Sequence, residues 1–141
     1  MEELEKIKRW LMTCPGWTGA LLVDYNTPVP GHFGLYPKGM QVLHRQEDVV
    51  GNSYCRCRST YQLRYVTTGQ ADGTVSAARL LELADWVQAQ SQAGLTPRLG
   101  DIPHTETFRA EKGQLRQSDQ VGTAVYTIDL VAEYTKVYPA Q

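Results

Sequence analysis

Apolar residues recur at helical spacing from the start of the chain. Leu4, Ile7 and Leu11 fall on one stripe and Trp10 widens it, which predicts a helix over residues 2–13. Glu2, Glu3 and Glu5 lie near the positive end of its dipole, followed by Lys6, Lys8 and Arg9, and Pro15-Gly16 stops it. "TGALLVDY" (18–25) reads as a short, mostly buried strand. Residues 26–39 hold three prolines and three glycines and read as an ordered loop, with Phe33, Leu35 and Tyr36 to bury. Residues 40–49 are a weaker strand pattern. A turn around Gly51-Asn52 then leads into "NSYCRCRSTYQLRYV" (52–66), so the two segments form a predicted hairpin.

That quoted stretch has period 2. Cys55, Cys57, Tyr61, Leu63 and Tyr65 take one face; Tyr54, Arg56, Arg58, Thr60, Gln62 and Arg64 take the other. One face is apolar and one cationic, as expected of a strand covered on one side by helices. As a single strand it spans roughly 50 Å at about 3.3 Å per residue, long enough to project past a core as a hairpin arm. A helix follows over 76–93, with Ala77, Leu80, Ala84 and Val87 on one face flanked by Leu81 and Leu83. Thr74 or Ser76 can cap its start and Gly94 its end. After the connector "LTPRLGDIP", residues 105–117 form a strand or hairpin. Residues 122–138 form a clear strand with Tyr126, Ile128, Leu130, Ala132 and Tyr134 on its apolar face. Thr127, Asp129, Glu133 and Thr135 fall on the other face. The order α-β-(β)-β-α-β-β predicts an α+β domain: a single twisted sheet, mostly antiparallel or mixed, with two helices packed on one face.

The chain has 141 residues, enough for one domain, with 42% hydrophobic and 21% charged residues. A net charge of -1 gives the whole molecule no pull toward nucleic acid or anionic membrane, so any such pull is local. No apolar run approaches the roughly 20 residues of a membrane span. "MEELEKIKRW" lacks the apolar core of a signal peptide, so a cytoplasmic product with reduced thiols is expected. An odd set of cysteines, Cys14, Cys55 and Cys57, also argues against a disulfide framework.

The cysteine pair at C-x-C has a metal reading and a bland one. A zinc site needs about four ligands, and His44 is the nearest histidine, with His32 and His104 at loops or edges. Buried small thiols are the simpler account. Catalytic and cofactor motifs are missing: there is no G-x-S-x-G, P-loop or G-x-G-x-x-G. Asp24 reads as a turn residue at a strand end, and Asp85 as part of the solvated side of its helix. The expectation is a protein without catalytic residues, cofactor or metal.

The arginine row is either a solvated face or an electrostatic contact surface. If the two long strands share a sheet, Arg56, Arg58 or Arg64 can pair with Asp129 and Glu133, each exposed pair being worth ~0.5 kcal/mol. The same residues can equally serve as complementary patches between subunits.

Four segments together resemble a known family: "KIKRWLMTCP", "GLYPKG", "LADWVQAQSQAGLTPRLG" and "YTIDLVAEY". In order and spacing, from Ile7 to Tyr134, the chain is similar to small tail-assembly proteins of Gram-positive prophages. These are related to the tail terminator, or tail completion, proteins of long-tailed phages. The resemblance implies an α/β fold with helices on a sheet and a ring, typically of six copies, on the end of the tail tube. Such a ring stops tube polymerisation and presents a surface to the head-side connector, while DNA passes through its lumen without specific binding. The implied partners are further copies of the chain, the tail tube protein and the connector. The implied location is the virion tail, after assembly in the host cytoplasm, with no membrane contact. The family offers no catalytic residues to transfer. A head–tail joining protein or assembly factor is the rival reading. A small enzyme, such as an acyl transferase built on His32, His44 or His104, is a third.

Overall fold

A computed structural model describes residues 2–15, 21–23, 33–68, 73–117 and 123–140, with side-chain surroundings for 3–15, 33–65, 81–111 and 126–140. The chain is an α+β fold with elements in the order α1 (Glu2–Leu11), β1 (Leu21–Val23), β2 (Phe33–Glu47), β3 (Ser53–Thr68), α2 (Gly73–Ala93), β4 (Thr107–Gln117) and β5 (Thr123–Tyr138). The described strands form one sheet in the order β1-β2-β3-β5-β4. β1 runs parallel to β2, and every other pairing is antiparallel. The sheet is therefore mixed, as its alternating pattern and short links imply.

The two central strands place their faces as period 2 dictates. Cys55, Cys57, Tyr61 and Leu63 of β3 are buried, beside Tyr126, Ile128, Leu130, Ala132 and Tyr134 of β5. Leu4, Ile7, Trp10 and Leu11 of α1 and Leu83 and Val87 of α2 join the same core, which puts both helices on one face. The indole of Trp10 links the layers: its ring lies 5.1 Å from Trp86 of α2 and 4.8 Å from Phe108 of β4.

Several boundaries differ from the sequence pattern. α1 closes at Leu11, and Met12, Thr13 and Cys14 finish it as turns bonded back to Lys8, Trp10 and Leu11. The short strand shrinks to Leu21–Val23, and Asp24 lies outside the described residues. The expected loop over 26–39 is corrected: from Phe33 onward it is the first part of β2, while 26–32, with His32, lie outside the described residues. Phe33 and Leu35 are buried, and that burial sets the strand. The proline is accommodated because, among the described residues, β1 pairs only as far as Leu35, and Pro37 sits beside a bulge in which Lys38 is the extra residue. A second bulge follows at Leu43, between Val42 and His44.

α2 begins at Gly73, so Thr74 and Ser76 lie inside the helix rather than capping it. Its end is as expected. Gly94 adopts φ 73°, its N–H reaches Ser91 O at 3.2 Å, and Leu95 N–H reaches Gln90 O at 2.9 Å. These are the two bonds of a Schellman ending, which needs a left-handed residue at the glycine position. The buried side of α2 is narrower than predicted: Leu83 and Val87 point inward, whereas Leu81 is exposed. Ala77 and Leu80 have side chains outside the described residues.

The helices do not cover the whole sheet. β2, β3 and the end of β5 run on past them as a three-stranded ribbon, closed by the turn Asp48–Asn52. Met40, Val42 and Leu43 are exposed on this arm, the projecting hairpin that the strand length implied.

Candidate functional site

Two surfaces qualify as contact sites: the polar sheet face opposite the helices, and the projecting ribbon.

On the polar face the register decides which charges meet. Arg58 lies opposite Glu133, but Arg56 lies opposite Thr135, Arg64 opposite Thr127 and Gln62 opposite Asp129. Of the expected arginine–acid pairs, only Arg58–Glu133 forms, at 3.3 Å. Arg56 instead donates to Thr105 O at 2.9 Å and Thr135 Oγ1 at 3.1 Å, which ties the connector before β4 to the sheet. Arg64 donates to Gln62 Oε1 at 2.6 Å and lies over the Tyr36 ring. Asp129 takes its cation from β2: Lys38 Nζ stands 3.4 Å from its carboxylate. Alternation along β2 from Tyr36, which lies opposite Gln62, puts the Lys38 side chain on this face.

Glu133 is the hub. Besides Arg58 it accepts from Arg109 Nη1 of β4 at 2.8 Å, and Arg109 also holds Glu111 at 3.1 Å. The hydrogen bond from Arg109 holds the Glu133 carboxyl below the usual value near 4.5, against the opposing effect of burial and with help from the Arg58 charge. The same bond, with that to Glu111, raises Arg109. Asp129, Gln62, Thr127 and Val131 are buried, so the polar face is far less solvated than its composition suggested. Asp129 and Glu133 are thus paired within one chain, whereas Arg56 and Arg64 bond only neutral acceptors among the described residues.

A pH test follows. The folded-state pKa of Glu133 is depressed, so its stabilising effect is present above the unfolded value and is lost as pH falls through the folded one. Glu133→Gln should lower Tm at neutral pH, and the gap from wild type should close well below pH 4.5. A gap of constant size across that range would mean that the carboxylate's charge is not what matters.

The thiols sit where a dry strand face puts them. Cys55 and Cys57 are buried and unbonded to each other, and burial pushes the Cys57 thiol up. Cys57 Sγ faces Cys55 O at 3.7 Å. No group of three His, Cys, Asp or Glu able to hold a metal occurs among the described residues. His44 and His104 are both exposed, and so is Asp85. No described helix is long and apolar enough to cross a membrane.

The ribbon holds what the sequence reading passed over. Its turn is a three-residue loop: Gly51 N–H bonds Asp48 O at 3.1 Å, Asp48 N–H bonds Asn52 O at 2.9 Å, and Gly51 takes φ 93°. Asp48 accepts from Val50 N–H, Asn52 N–H, Asn52 Nδ2 and Tyr54 Oη at 2.9 to 3.3 Å. Lost solvation alone would raise that carboxyl, but these bonds outweigh it and hold its pKa low. Ala140 N–H bonds Asn52 Oδ1 at 2.8 Å, lashing the C-terminal segment to the turn. Held out by this frame are two valines: Val49 is 104% exposed and Val50 68%. Asp-x-x-Gly is a turn signal; apolar residues at its centre were the unused clue.

Behind the turn, on the helix side of the ribbon, lies a groove of about 390 Å³. Met40, Pro37, Leu4 and Tyr138 wall it, over Cys57 and Tyr134, with Glu3 and Lys136 at its rim. Tyr61 donates to Glu3 there, and burial with that bond raises its hydroxyl far above the usual tyrosine value. Ser59 and Tyr134 share a 2.7 Å hydrogen bond between their hydroxyls.

No family model matches the chain, and no curated protein matches it. A solved structure of 15% identity does match: it covers 96% of this chain and 92% of the other, with a TM-score of 0.51. That likeness extends over nearly the full length of both chains and is one of fold: helices on one side of a sheet that this sequence builds with almost entirely different residues.

Proposed function

We propose that the chain is a structural subunit of a phage tail, assembled in the host cytoplasm, that forms a ring on the end of the tail tube. In this reading the ring, of six copies in the resembling family, halts tube polymerisation and presents the surface to which the head-side connector docks. DNA passes through the lumen without specific binding, and neither cofactor nor catalysis is involved. The supporting observation is the ribbon: a sheet extension free of helices, with exposed Met40, Val42 and Tyr138 on its surface and two valines at its tip. Several apolar side chains exposed on one element favour contact with another protein. The order and spacing of the segments that resemble phage tail-assembly proteins support the tail tube and further copies of the chain as that partner.

The test uses purified tail tubes and the full chain. Tube ends should become decorated, and tube protein polymerising in its presence should stop at shorter lengths. Binding to the connector alone, with bare tube ends, would favour the joining-protein reading. Binding to neither would remove both.

A further inference from the structure

On the polar face Lys38, Arg58 and Arg109 are ion-paired within one chain, and the ribbon presents a second surface with apolar groups exposed. We propose that the tip of the ribbon, Val49 and Val50, seats in the groove of a second copy, between Met40 and Tyr138. The inference deepens the ring reading and takes from it only the expectation that copies meet.

Three observations carry it. First, the tip is built for contact. The hydrogen bonds converging on Asp48, with the tie from Ala140 to Asn52, fix the turn before any partner arrives, so little ordering entropy is lost on docking. The two valines it displays are almost wholly in solvent and contribute little to the chain's own core. Second, the groove matches the tip in chemistry. Its walls are apolar, its 390 Å³ has room for two isopropyl groups, and Val42, opposite Cys57 in the register, extends the same face. Third, one side of the groove rim is complementary to the tip, Glu3 on the other side being taken up by the Tyr61 hydroxyl. Glu47 and Asp48 flank the tip, whereas Lys136 at the groove has no ion-pair partner among the described residues. The tip sits at the far end of the same paired ribbon and does not fold back over its own groove, so the occupant comes from another molecule. Tip and groove are different patches, so the contact is head-to-tail. Such contacts close into rings when the rotation per copy allows it.

Sedimentation of the full chain alone, without tubes, tests this. Wild type should associate as concentration rises. Val50→Asp and Met40→Asp should each weaken association by about 30-fold, the factor matching roughly 2 kcal/mol for a lost interface anchor. An equimolar mixture of the two variants should give dimers and nothing larger. The Val50→Asp chain keeps its groove and the Met40→Asp chain keeps its tip. Both positions are exposed, and circular dichroism checks that each variant is folded. As a second measurement, Lys136→Glu should weaken association and Glu47→Lys should restore it in the double variant. A wild type that stays monomeric at every concentration overturns the proposal; so does undiminished association of Val50→Asp, or a mixture that forms no dimers. Self-association through the tip with bare tube ends would sink the tail reading and leave this one standing. Capped tubes with a dispensable tip would do the reverse.

Discussion

Asp129→Lys is expected to destabilise the chain by about 3 kcal/mol, a large share of the roughly 5–15 kcal/mol that holds a domain together. Asp129 lies on β5, a central strand, and is only 7% exposed. Its charge is offset by Lys38 at 3.4 Å. Reversal places two ammonium groups together, and the carboxylate opposite it in the register, Glu111 of β4, is already held by Arg109. Lys38 itself is partly in water, which is why the figure sits at the low end of the range for a broken buried pair. Asp129→Asn should be milder, since it keeps the shape and an acceptor. Urea denaturation followed by circular dichroism measures both. A loss below about 1 kcal/mol for the lysine variant would put the pair in the class of ordinary exposed ion pairs.

The second large effect is at Trp10. Truncation to alanine should remove about 3–5 kcal/mol, because the ring fills space among α1, α2 and β4 that backbone shifts cannot close. Both ring neighbours, Trp86 and Phe108, lose their partner at once. Trp10→Phe separates packing from polarity. The indole Nε1 is buried with no acceptor among the described residues, so its loss removes an unpaired donor and offsets part of the lost volume. Thermal unfolding should therefore show a deep drop for alanine and a shallow one for phenylalanine. Equal drops would mean that the aromatic cluster contributes nothing beyond the indole itself.

What was legible in the sequence was whatever local period dictates. The faces of β3 and β5 follow from alternation, and the stripe Leu4, Ile7, Trp10, Leu11 from helical spacing. The element order and the hairpin arm followed too. Arg58–Glu133 was readable because each residue sits in a strongly patterned strand. Lys38–Asp129 was not, since the two are 91 residues apart and Lys38 lies in a segment whose prolines and glycines imitate a loop. Arg109 and Glu111 were missed because β4 is weakly patterned. In α2 the apolar residues encircle the helix, so spacing alone could not choose between Leu81 and Leu83. The groove was invisible for a different reason: it gathers Leu4, Pro37, Met40 and Tyr138 from three separate elements, and no local pattern reports where they meet.

The two bulges in β2 have one more result. Beyond Leu35 no described strand pairs with that side of β2, and an unpaired margin of amide and carbonyl groups is the kind of template on which cross-β fibres grow. Extra residues at Lys38 and Leu43 break its repeat twice, so an incoming strand finds no run long enough to zip against. The irregular spacing thus guards the described margin of β2 against strand addition at high local density.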